Sequence, residues 1–184
     1  MLLHSGILYP VERDPRAFFQ ALSELMIEGL INSEGLKIIL RATGHDDLIK
    51  NMVIKYGIEK LVFIEAGVSY ESALAEMMAV DGLVVFQASN CNHQIPAKIY
   101  EYFRARKPIF ALTDPDGDTA AVLIDANVNS ISSLDDKDSI KIKFASFLEE
   151  LKKGTAPVAN DKCVLGHSRK ARTQLLAELL NEGH

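Results

Sequence analysis

Lys98 and Glu101 stand three residues apart on a helix pattern, yet off its apolar stripe. That stripe is Ile95, Ile99, Tyr102 and Phe103, at helical spacing. A cation and a carboxylate that the core does not need are available for ligands, the carboxylate as an acceptor with two oxygens. The alternative is an exposed i,i+3 charge pair on a solvated face. Arg13 lies in the loop after the first strand pattern, and a guanidinium offers phosphate oxygens two aligned donors. Its alternative is a solvated partner of Glu12. His93, in the loop Ala88 to Ile95, can donate to a hydroxyl or a phosphate. Cys91 beside it makes a two-ligand pair, too few for a metal site. The N–H groups near Gln94 and Ile95, at the expected start of the helix, form an anion site.

The elements that must carry these residues alternate between strand and helix patterns. Strands are expected at Leu3 to Tyr9, Leu36 to Arg41, Leu61 to Glu65, Leu83 to Gln87, Pro108 to Leu112 and Ser130 to Leu134. Helices are expected at Pro15 to Glu28, capped by Asp14, and at Asp46 to Tyr56, closed by Gly57. Further helices are Tyr70 to Val80 with Ser69 as cap, one from Ile95 ending before Pro108, Asp118 to Ala126, Ser139 to Lys152 and Ser168 to Leu180. Arg104, Arg106 and Lys107 crowd the last turns of the helix before Pro108, where the dipole favours cations. Near-continuous apolar strands between helices predict an α/β three-layer sandwich, Rossmann-like, with a mostly parallel sheet of about six strands. In such a sheet ligands bind beyond the carboxyl ends of the strands. Four loops therefore matter: Tyr9 to Pro15, Glu65 to Ser69, Ala88 to Ile95 and Asp114 to Thr119. The last carries three aspartates, which oppose phosphate, and reads first as a turn and cap.

The string Pro96, Lys98, Glu101, Tyr102, Lys107, Pro108 and the apolar strand that follows resembles the donor-binding half of retaining GT-B glycosyltransferases of the family-4, or group 1, type. The resemblance runs from Gly6 to the final helix and is most specific between Pro96 and Ala111. It implies a sugar-nucleotide-binding domain, with transfer from a nucleoside-diphosphate sugar to an acceptor hydroxyl with retention and no bound metal or other cofactor. Glu101 would accept hydrogen bonds from the donor ribose. Gly6 matches the family glycine, and Arg13 falls where the family has its loop lysine. Gly67 and Val68 would border the base, with Gln94, Ile95 and Lys98 near phosphate or sugar. His93 occupies the place of a family carboxylate facing the sugar and is the candidate catalytic residue. Ile7 stands where a second family cation follows the glycine. Both are departures. Two alternatives remain: a non-catalytic Rossmann-like binding or interaction module, and half of a GT-B sugar-nucleotide epimerase.

Composition bounds the rest. The chain has 184 residues, 48% hydrophobic and 24% charged, enough to bury a core without disorder. Net charge is −5 without a long basic run, so nucleic acid has no electrostatic footprint. No apolar run reaches membrane-spanning length and no signal peptide is visible. Cys91 and Cys163 lack redox or metal spacing, which suits a reduced, cytoplasmic setting. One domain over 1–184 is expected, with an α/β core over 1–154 and a loop plus C-terminal helix over 155–184. The resemblance implies a preceding acceptor domain as the missing partner, through which membrane association could also arise. The fragment alone is then expected not to transfer sugar. Gly-x-Gly-x-x-Gly, P-loop and Gly-x-Ser-x-Gly strings do not occur, which removes the dinucleotide, NTPase and hydrolase fingerprints.

Overall fold

A computed structural model describes residues 1–182. Six parallel strands form one sheet in the order β3-β2-β1-β4-β5-β6. They are β1 (Leu2–Ser5), β2 (Ile38–Arg41), β3 (Val62–Glu65), β4 (Gly82–Phe86), β5 (Ile109–Leu112) and β6 (Ile131–Ser132). The helices are α1 (Arg16–Ile27), α2 (Asp46–Lys55), α3 (Tyr70–Ala79), α4 (Lys98–Ala105), α5 (Asp118–Asp125), α6 (Lys137–Lys153), α7 (Asp161–Gly166) and α8 (Arg169–Glu182). The α/β sandwich expected from the sequence is the architecture observed.

Both faces of the sheet are covered, so the strands can be apolar throughout. Successive β4 side chains alternate between two cores. Val84 and Phe86 join Phe18, Phe110, Phe144 and Phe147 beneath α1, α2 and α6. Leu83 and Val85 join Ile99, Tyr102, Phe103 and Leu123 beneath α3, α4, α5 and α7. Phe144 stands edge-on to both Phe18 and Phe110, at 5.1 Å between ring centroids. Aromatic pairs of this geometry add about 0.5–1.5 kcal/mol beyond the area they bury.

Several boundaries differ from expectation for local reasons. β1 ends at Ser5, not Tyr9, because Gly6 turns the chain at φ 126°. The helix expected from Ile95 begins at Lys98. Pro96 and Ala97 accept its first-turn hydrogen bonds, from Ile99 at 3.0 Å and Tyr100 at 3.2 Å. Ser69 caps α3 as expected, accepting from the Ser72 N–H at 3.2 Å. Asp14 accepts the Arg16 N–H at 3.0 Å, one residue ahead of the Pro15 N-cap. The stretch expected as a loop over Lys153 to Gly166 contains α7, capped by Asn160, whose side chain accepts from the Cys163 N–H at 2.9 Å.

Arg106 at the end of α4 pairs with Asp161 at the start of α7. His167, just past α7, packs on Tyr100 at 4.9 Å between ring centroids. α7 therefore runs against α4 and returns the chain toward the carboxyl ends of the strands, where α8 starts. Leu175, Leu176, Leu179 and Leu180 do not pack on the sheet; they are between 50% and 66% exposed.

Candidate functional site

The strand order reverses between β1 and β4, so the loops that follow these two strands leave in opposite directions and open a crevice. The sheet itself begins to part there. β1 and β4 pair only through Leu2↔Gly82 and Leu3↔Leu83. Continued, the ladder would next join the Ser5 N–H to the Val84 carbonyl. Side chains substitute for that bond. The Ser5 N–H donates to the Tyr102 hydroxyl at 3.0 Å, and the Val84 carbonyl takes the Nδ1 proton of His4 at 2.9 Å. A carbonyl only accepts, which fixes the His4 tautomer and leaves its Nε2 as an acceptor.

His4 is fully buried, edge-on to Phe86 at 4.9 Å. Burial, with the nearby Lys98 and Arg13 charges, holds its pKa well below the usual range, so the imidazole is neutral. Lys98, the first residue of α4, reaches back across the crevice and brings Nζ to 3.4 Å from His4 Nε2. The ammonium lies over Gly6, where an added Cβ would come within 2.6 Å of Nζ. Gly6 is thus required twice, for its positive φ and for this close approach. Burial lowers the Lys98 pKa to about 7; Arg13 pushes it the same way, and Glu101 opposes.

Arg13 faces Lys98 from the β1–α1 loop. Its Nη1 donates to the Ile7 carbonyl at 2.9 Å, and its guanidinium stands 5.4 Å over the Tyr9 ring. Its buried Nε has no partner among the described residues. Glu101 lies in the first turn of α4, half-buried, and accepts from the Tyr70 hydroxyl of α3 at 3.3 Å. It does not pair directly with Lys98; Lys98 meets His4 instead. Tyr102, one residue further, is fully buried, and burial pushes its hydroxyl pKa upward.

The other expected residues stand around this centre. Gly67 lines an open depression of about 780 Å³ with Ala42, Gly44, His45 and Asp46, at the carboxyl ends of β2 and β3. Val68 is exposed beside it. Ile95 packs against the core under α4. Gln94 spends its N–H on the Cys91 carbonyl at 2.9 Å, and its own carbonyl accepts from Thr119 at 3.0 Å. The anion site expected at Gln94 and Ile95 therefore has no helix start to support it, because α4 begins at Lys98. His93 is 97% exposed at the loop tip, with Nδ1 3.7 Å from Asp118. The acidic loop after β5 is tied to the same segment: Asn92 donates to Asp114 at 2.7 Å, which holds that carboxyl below the usual range. Among the described residues no group of His, Cys, Asp and Glu is arranged to hold a metal. A cavity of about 590 Å³ lies at the amino ends of β1, β4 and β5, lined by Met1, Ile31, Asp81 and Pro108, away from all of these residues.

Sequence reasoning missed His4 and the polar duties of Tyr102 and Tyr70. A histidine within a strand's apolar run, two residues before Gly6, was the available signal.

The parallel sheet in the order β3-β2-β1-β4-β5-β6, covered by helices on both faces, is a Rossmann-like α/β fold. The fold is similar to that of sucrose-phosphate synthase from Thermosynechococcus elongatus, with a TM-score of 0.56 and 13% sequence identity. The match covers 94% of this chain and 46% of that protein, so the chain spans less than half its length. No family model and no curated protein matches the chain. No helix among the described residues is long and apolar enough to cross a membrane.

Proposed function

We propose that the chain is the donor-binding half of a glycosyltransferase and holds a nucleoside-diphosphate sugar in the crevice between the β1 and β4 loops. The observation that carries this reading is the convergence of Arg13 and Lys98 at Gly6, with Glu101 in the same turn of α4. Two cations beside a bare glycine backbone suit a diphosphate. A carboxylate three residues further along α4 suits the vicinal hydroxyls of a ribose. Gly67 and Val68, at the neighbouring depression, would border the base. Departure of a diphosphate from the transferred sugar builds negative charge, which fixed cations stabilise electrostatically without a metal. His93, Gln94 and Ile95 would lie toward the sugar, and the acceptor hydroxyl would come from a second domain. Transfer with retention, and the inactivity of this chain by itself, belong to this proposal.

A second reading, a binding module of the same fold without turnover, draws on Ile7. That residue is 39% exposed beside Gly6 and offers no side-chain charge where the resemblance calls for one. A calorimetric screen with UDP, GDP, ADP and their sugars tests the proposal. One of these nucleotides is expected to bind more tightly than its nucleoside. Equal, negligible binding of all of them would overturn it. Sugar transfer by residues 1–184 alone would contradict the need for a second domain.

A further inference from the structure

Resting on that donor-site reading, we propose that His4 is a positioning residue, whose buried imidazole sets the Lys98 ammonium beside Arg13 so that diphosphate binding takes up a proton on Lys98. His4 Nδ1 is committed to the Val84 carbonyl, so Nε2 has a free lone pair aimed at Lys98 Nζ, 3.4 Å away. Among the described residues no other side chain pairs with Lys98. Glu101, the carboxylate on its own helix, is turned to Tyr70, and Gly6 offers no side chain.

The charged and titratable groups that bear on Lys98 are His4 from β1, Arg13 from the β1–α1 loop and Glu101 from α4. Tyr70 of α3 reaches only Glu101, Tyr102 is committed to Ser5, and His167 beyond α7 packs on Tyr100. Of these, Arg13 disfavours the charged form as a like charge and Glu101 favours it, while neutral His4 brings an acceptor but no counter-charge. Burial also disfavours the charge and brings the Lys98 pKa to about 7. A diphosphate between Lys98 and Arg13 supplies the missing counter-charge. It stabilises the ammonium and draws a proton from solvent onto Nζ. The partner-free Nε of Arg13 fits a site completed by an anion.

The test is calorimetric titration of the full chain with inorganic pyrophosphate and with UDP, GDP and ADP. It is run in two buffers of different ionisation enthalpy, from about pH 6.5 to about pH 8.5. The wild type should take up close to half a proton near neutrality, and its affinity should fall roughly twentyfold across this range beyond any fall shown by Lys98→Met. His4→Gln keeps an acceptor for Lys98 and should retain affinity and pH profile. His4→Asn keeps only the donor to Val84 and should lose both. Diphosphate binding with no proton uptake, or with Lys98→Met matching the wild-type pH profile, overturns this inference and leaves the donor site standing. His4→Asn binding like the wild type does the same. Should His4→Asn fail to fold, the wild-type proton count and the Lys98→Met comparison still decide. No binding of pyrophosphate or any nucleotide by the wild type overturns both readings.

Discussion

Replacing Lys98 with methionine should remove a pH dependence of stability that the wild type carries above neutrality. In the folded chain the lysine has a pKa of about 7, against an ordinary value of 10.5. Between these values the unfolded chain holds the proton and the folded chain does not. Stability therefore rises with pH across that window, falls back as pH drops from about 10.5 to about 7, and does not change further below about 7, where both states hold the proton. Each pKa unit corresponds to about 1.4 kcal/mol, so the wild type should gain roughly 2 kcal/mol from this group between about pH 7 and about pH 9. Lys98→Met keeps the stem and does not titrate. Its absolute stability at one pH mixes two effects, loss of a buried cation and loss of the partner of His4 Nε2. An orphaned buried acceptor costs about 1–3 kcal/mol. The slope separates them, because the orphaned acceptor does not vary with pH in this range. Urea unfolding of both proteins at about pH 7, 8 and 9, followed by circular dichroism, gives the difference directly. The advantage of Lys98→Met over the wild type should shrink by about 2 kcal/mol across the series. Two curves that stay parallel within about 0.5 kcal/mol would mean that Lys98 titrates as an exposed lysine, and the buried His4–Lys98 arrangement would be refuted.

Gly6→Ala forces a side chain into φ 126° and against Lys98 Nζ, so it should cost about 1–3 kcal/mol in denaturant unfolding and weaken pyrophosphate binding as well. Wild-type pyrophosphate affinity in this variant would separate Lys98 from the diphosphate. Tyr102→Phe leaves the part-buried Ser5 N–H without its acceptor and should lower stability by about 1 kcal/mol. A loss below about 0.5 kcal/mol would show that the β1–β4 ladder closes onto Val84 when the hydroxyl is removed.

The fold was legible because each strand is a short apolar run and most helices carry a readable start or stop, such as Ser69 before α3 and Gly57 after α2. What failed locally failed for identifiable reasons. The apolar stripe from Ile95 continues through Pro96, but the first backbone turn is taken up by Pro96 and Ala97 as acceptors, so the helix starts at Lys98. α7 is six residues long, too short to show a period, and only Asn160 signals it. At the site, Arg13, Lys98 and Glu101 could be singled out because they are charges that no core needs. His4 could not, because its role depends on where the β1–β4 ladder stops, a tertiary fact invisible in Leu-Leu-His-Ser-Gly. The exposed leucines of α8 were equally undecidable from sequence, since a helical apolar stripe does not say which surface it meets.

The division of labour between Glu101 and Arg13 is the central claim, and calorimetry on two variants measures it. Glu101→Gln keeps the shape and removes the charge. A hydrogen bond to a charged group is worth roughly 1.5–3 kcal/mol, so affinity for both nucleoside and nucleoside diphosphate should fall about tenfold or more, with stability little changed. Arg13→Ala should weaken the diphosphate and spare the nucleoside. If Glu101→Gln binds every nucleotide like the wild type and instead loses stability, Glu101 serves only the Tyr70 hydroxyl, and the donor-site account is contradicted.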